Sequence, residues 1–99
     1  MFIVRDIFQL KFGQSKEATA LWKQGVTHIA SKAKGGARLL TDVAGAPYYT
    51  IILESTWESL SQWEQATKGV RSDPEWQKWY QKVVALTESG RREILSIIE

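Results

Sequence analysis

Cysteine is absent from the 99 residues, and histidine occurs once. Without cysteine there is no disulfide, no thiolate metal site and no cysteine nucleophile. A single histidine, His28, leaves zinc without its usual several nitrogen or sulfur ligands. No Gly-rich phosphate loop and no Ser-His-Asp set is present. Long hydrophobic runs are missing too, because none approaches the roughly 20 apolar residues of a membrane helix. The opening stretch Met1–Gly13 carries Arg5 and Asp6 inside its apolar run and lacks a small-residue cleavage site. It does not read as a signal peptide. Charge of one sign is scarce. The net charge is +2, with basic and acidic residues interspersed, whereas a nucleic-acid interface concentrates basic residues on one face. These absences set the expectation of one domain over residues 1–99, soluble and cytoplasmic, with no nucleic-acid partner and no membrane span.

What is present is aromatic and patterned. There are five tryptophans, four of them from Trp57 onward. Asp73-Pro74 reads as an N-cap followed by proline at the first helical position, where a missing N–H costs nothing. Trp76, Trp79, Tyr80, Val83, Val84 and Leu86 then follow with the spacing of one helical face. Gly90 reads as the left-handed residue that ends this helix, and Glu93–Ile98 as a strand. Upstream, Phe2–Phe12 is an apolar strand on both parities, closed by Gly13. Ser15 opens a helix whose buried stripe is Ala18, Leu21, Trp22, Gly25, Val26 and Ile29. Gly25 within that stripe implies close approach of another backbone, and Gly35-Gly36 stops the helix. Ala37–Ala44 and Tyr48–Ser55 read as an antiparallel hairpin. Ser55-Thr56-Trp57-Glu58 has the form of a capping box, opening a second helical region with a joint near residues 69 to 73.

The order strand, helix, strand, strand, helix, strand is the split βαβ pattern of a ferredoxin-like α+β fold. Right-handed crossovers put the helices on one face of a four-stranded antiparallel sheet. The other face would then carry apolar residues with no cover, a larger patch than monomers usually tolerate. A second copy packed sheet to sheet about a two-fold axis is the simplest cover. The expected assembly is therefore a homodimer.

Several segments resemble the NIPSNAP-like domain of the dimeric α+β barrel superfamily. They are Asp73-Pro74-Glu75-Trp76, the Trp79-Tyr80 pair, and the run from Glu88 to Ile94. Leu10-Lys11 with Gly13, and Leu53-Glu54-Ser55, fit more loosely, and Phe12 stands where the pattern usually has proline. The resemblance implies the fold and the dimer. It implies no settled activity, since NIPSNAP-like proteins are mostly uncharacterised, with proposed roles in protein association and trafficking. Relatives in the superfamily include cofactor-free and haem-degrading monooxygenases that hold substrate between sheet and helices.

Five residues stand out as candidates for chemistry. Asp6 shares a strand parity with Phe2, Val4, Phe8 and Leu10. A carboxylate there needs a partner or serves as a tuned general base, and Arg38, Arg91 and Arg92 are the available structural partners. Trp57 and Trp63 flank their stripe and suit the wall of a flat-ligand pocket, while Trp22 and Trp76 sit centrally on theirs and read as core. Glu54 ends a strand and points to the cleft or interior, paired with Arg5 or Arg38. His28 is the only imidazole that could serve a haem, and otherwise reads as a boundary residue. Arg91-Arg92 reads as a solvated pair at a strand entrance. The leading functional expectation is a cofactor-free dimer that binds a small apolar or aromatic ligand or a protein partner. The alternatives are a cofactor-independent monooxygenase acting on a reduced aromatic substrate, with Asp6 as base, and haem binding or degradation through His28.

Overall fold

A computed structural model describes residues 1–99. The elements are β1 (Phe2–Leu10), α1 (Ser15–Ala30), β2 (Ala37–Thr41), β3 (Thr50–Trp57), α2 (Leu60–Arg71), α3 (Pro74–Ala85) and β4 (Thr87–Ser96). The sheet order is β2-β3-β1-β4 with every neighbouring pair antiparallel. This is the ferredoxin-like α+β arrangement, with three helices because the second helical region breaks after Arg71. The break falls at the expected joint. Asp73 accepts a hydrogen bond from the Glu75 amide at 3.0 Å, and Pro74 occupies the first turn of α3.

The core lies between the sheet and the helices. Val4, Leu10, Ile51, Leu53 and Trp57 meet Ala18, Trp22 and Ile29 of α1, Val70 of α2 and Val83 of α3. Trp22 stacks on Phe8 at 4.9 Å and meets Trp79 edge-on at 4.9 Å. The stripe expected on α1 is thus the buried one. The face of α3 is narrower than its spacing suggests, since Tyr80 and Val84 are exposed.

Several boundaries differ from the sequence expectation, two of them for a clear local reason. Gly90 does not stop α3 but lies within β4 opposite Phe8. A Cβ there would come within 2.9 Å of the Phe8 ring, so the strand needs glycine at that point. The helix ends earlier, where Thr87 Oγ1 donates to the Val83 carbonyl at 2.7 Å. Trp57 belongs to β3 rather than to a helix, and the true cap is Ser59, whose Oγ accepts from the Gln62 amide at 3.1 Å. The Gln62 side chain takes the Glu58 amide in return at 3.1 Å, so the capping motif sits four residues later. α1 starts without a side-chain cap at Gln14 and ends at Ala30, before Gly35-Gly36. β1 and β2 are shorter than read, ending at Leu10 and Thr41.

Gly25 faces an aromatic side chain rather than a backbone. A Cβ there would lie 2.5 Å from the Trp79 ring. That ring cannot retreat easily, because Trp79 Nε1 donates to the Leu21 carbonyl at 2.8 Å and Trp76 packs on it at 4.5 Å. Alanine would gain about 1 kcal/mol of helix preference, but overpacking costs about 1–3 kcal/mol. Gly25→Ala is expected to lower the denaturant midpoint, and an unchanged or raised midpoint would show that the ring yields.

The opposite sheet face carries no helix. Register places Arg38, Glu54, Arg5 and Glu93 in one row across it, alternating in sign. Rows of Leu40, Ile52, Ile7 and Arg91 on one side and Thr56, Ile3 and Leu95 on the other flank that row. The accessible surface is 6461 Å², against about 5,700 Å² expected for a compact monomer of this mass. No helix is long and apolar enough to cross a membrane.

Candidate functional site

The helix-facing side of β1 and β4 brings Asp6 and Arg92 opposite each other. Arg92 Nε donates to Asp6 Oδ1 at 2.5 Å, and the guanidinium carbon lies 5.0 Å from the Trp63 ring centre. The Asp6 carboxylate is 18% exposed, the Arg92 side chain 50%. A strand from each end of the sequence and helix α2 therefore converge on one stack of carboxylate, guanidinium and indole.

This stack borders a cavity of about 520 Å³ between sheet and helices, walled by Trp22, Trp63, Trp76, Phe8 and Leu53. A second recess of about 460 Å³ continues along β4, and Asp6, Phe8, Tyr80 and Arg92 border both. Pockets for small molecules span about 300–1,000 Å³ and are mostly apolar with a few placed polar groups. The charged groups here are the Asp6–Arg92 pair, with Glu64 and Arg71 on α2, beside the neutral polar Thr67, Gln77 and Gln81. One further polar atom is unusual. Trp22 Nε1 is buried in this wall with no hydrogen-bond partner, and such an orphan costs about 1–3 kcal/mol.

The sequence candidates divide. Asp6 and Trp63 meet at the cavity. Trp57 does not line it, being 1% exposed in the core, with its Nε1 donating to Ser55 Oγ at 2.8 Å. As a strand residue on the helix-facing parity it is packed too deeply to touch a ligand. His28 also stands apart, in a groove of about 150 Å³ between α1 and the start of α3, with Asp73 and Glu75 nearby and Trp76 at 5.5 Å. That volume falls below the range of a small-molecule pocket.

Glu54 lies on the helix-free face. Arg5 Nε donates to it at 2.8 Å and Arg38 Nε at 2.6 Å, so it takes both expected partners at once. Burial pushes its carboxyl up, but the hydrogen bonds and charges of Arg5 and Arg38 outweigh this and hold it below the ordinary value. The two arginine side chains are 36% and 70% exposed, so solvent screens part of the attraction. A carboxylate with a lowered folded value adds stability above its ordinary value of 4.5. That stability is lost as pH falls through the folded value. The thermal midpoint is expected to drop below about pH 4.5 more steeply in the parent than in Glu54→Gln. Equal slopes in the two proteins would remove Glu54 from the acid response.

Arg92 is read from the sequence both as one of three arginines available to Asp6 and as half of a solvated pair; it is the one that pairs with Asp6, with its side chain still half exposed. Consecutive strand residues face opposite sides. Arg91 goes to the helix-free face and pairs with Glu93 at 2.7 Å, while Arg92 goes to Asp6. Reading Gly90 as strand interior would have supplied that alternation.

The fold defines the class as a ferredoxin-like α+β protein with a cleft between sheet and helices. No family model and no curated protein matches the chain. Its structural neighbours are NIPSNAP family proteins. One from Agrobacterium tumefaciens superposes with a TM-score of 0.88 at 19% identity, covering 99% of this chain and 86% of that one. An uncharacterized NIPSNAP domain protein from Burkholderia xenovorans gives 0.83 at 17% identity, covering 99% and 95%. A more distant neighbour is SnoaB, a cofactor-independent oxygenase from Streptomyces nogalater, at 0.72 and 12% identity, covering 99% and 93%. At these identities the likeness is one of fold.

Proposed function

We propose that residues 1–99 act as one ligand-binding unit of a homodimer, each subunit holding a flat apolar or aromatic molecule between its sheet and helices. The observation that carries the reading is the aromatic-walled cavity of about 520 Å³ with one polar pair, Asp6–Arg92, at its edge. A ligand ring there would gain stacking worth about 0.5–1.5 kcal/mol per aromatic neighbour. The apolar residues on the helix-free sheet face, together with the excess accessible area of the whole chain, support the dimer.

Titration with a neutral flat probe, 2-naphthalenemethanol, is expected to quench tryptophan fluorescence saturably. Trp63→Ala should weaken binding roughly 3- to 10-fold, and His28→Ala, outside the cavity, should leave it unchanged. Absence of saturable quenching in the parent protein up to millimolar probe would end this reading.

A second reading has one specific support, the Asp6 carboxylate on the cavity wall of a fold shared with a cofactor-independent oxygenase. There Asp6 would deprotonate a reduced aromatic substrate. Arg92 occupies Oδ1, so Oδ2 would have to serve as the base. Oxygen uptake with a panel of hydroquinones tests this, and a rate undiminished in Asp6→Asn would exclude Asp6 from the chemistry.

A further inference from the structure

Arg92 carries free donors at the edge of the cavity. Asp6 engages Arg92 through Nε alone, so the two terminal Nη groups form no hydrogen bond within the chain. The guanidinium plane is held from one side by Trp63 at 5.0 Å and from its edge by Asp6. Arg92 borders both recesses. A guanidinium can only donate, so a hydrocarbon ligand cannot satisfy these Nη groups and a ligand carrying acceptor atoms can.

We infer that the ligand of this cavity is an aromatic carboxylate, seated with its oxygens on the Nη fork of Arg92. The inference rests on the cavity reading above and names the ligand class for it. A planar fork matches a carboxylate with two parallel hydrogen bonds. The formal charges around the cavity balance, with Asp6 and Glu64 against Arg71 and Arg92. Selection therefore comes from the directed fork and not from a net positive field. Asp6 acts as a positioning residue: it takes the Nε edge and leaves the fork free.

The test compares 2-naphthoate with 2-naphthalenemethanol, nearly equal in shape, by calorimetry and tryptophan quenching. The parent protein is expected to bind naphthoate at least roughly tenfold more tightly, the scale of a charge-assisted bidentate pair. Arg92→Gln should erase that preference while keeping affinity for the alcohol. Arg92→Lys keeps the charge but loses the fork, and most of the preference should go with it. Circular dichroism of both variants shows whether they fold, and two independent substitutions keep the comparison open if one does not. If the alcohol binds and naphthoate binds no better, the carboxylate inference falls and the cavity reading stands. A preference that survives both substitutions also overturns the inference. If neither probe binds, both fall together.

Discussion

Ile52→Asp is expected to turn a dimer into particles of 11.3 kDa in sedimentation equilibrium at micromolar concentration. Ile52 lies on central strand β3, between Leu40 and Ile7 in the apolar row of the helix-free face. In a two-fold interface every residue occurs twice, so one substitution buries two carboxylates. Each loses several kcal/mol of hydration without a partner. No unpaired arginine is at hand to take the new charge, because Arg5 and Arg38 in the neighbouring row are bound to Glu54 and Arg91, at the β4 end of the row of Ile52, is bound to Glu93. The loss exceeds what a micromolar dimer holds in reserve. Circular dichroism should retain the α+β spectrum, since Ile52 is only half-buried within one subunit. A parent protein already of 11.3 kDa, or a variant still dimeric, would refute sheet-to-sheet pairing.

Trp57→Ala should remove about 3–5 kcal/mol of stability, the range for deleting a buried tryptophan. That is a large share of the roughly 5–15 kcal/mol available to a domain. The indole is 1% exposed, and its N–H is satisfied by Ser55 Oγ, so truncation leaves both a void and a hydroxyl without its partner. The matched comparison is with Trp22, equally deep but with an orphaned N–H. Trp57→Phe is expected to cost more than Trp22→Phe in urea denaturation, because only the first breaks a hydrogen bond. Equal or reversed costs would show that packing alone sets the energies, or that Trp22 Nε1 is satisfied in solution.

These two tryptophans also show how far sequence reading reaches. Trp22 was legible as core because the stripe of α1 repeats with helical spacing over four turns. Trp57 was misplaced because Ser55-Thr56-Trp57-Glu58 and Ser59-Leu60-Ser61-Gln62 both have cap-like form, and a motif of four residues does not say where a strand stops. Pairing with β1 decides it, since Trp57 stands opposite Phe2 at the far end of the ladder. Gly90 gave the same ambiguity. Glycine ends helices and also lets a neighbouring ring press on a strand, and only the Phe8 contact distinguishes the two.

The candidate site was legible in half. Asp6 was marked by a carboxylate among apolar strand residues, and Trp63 by its place beside a stripe. Arg92 was one of three arginines open to Asp6, and the choice among them depends on where β4 begins, because a shift of one residue reverses every side chain. His28 attracted notice only by being the sole imidazole, which says nothing of position.

The sequence by itself determined the order of elements, the helix joint at Asp73-Pro74, the buried stripe of α1 and the surplus of apolar residues on the sheet. Those are local or periodic properties, written in spacing and in the backbone preferences of proline and capping residues. The tertiary structure alone decided that Asp6 meets Arg92 across 86 residues, that Trp57 is core and Trp63 is wall, and that Glu54 joins two arginines on the helix-free face. Each of those depends on strand register and on which side chains fill the space between sheet and helices. Register is set by the packing of the whole chain, and no short window of sequence contains it.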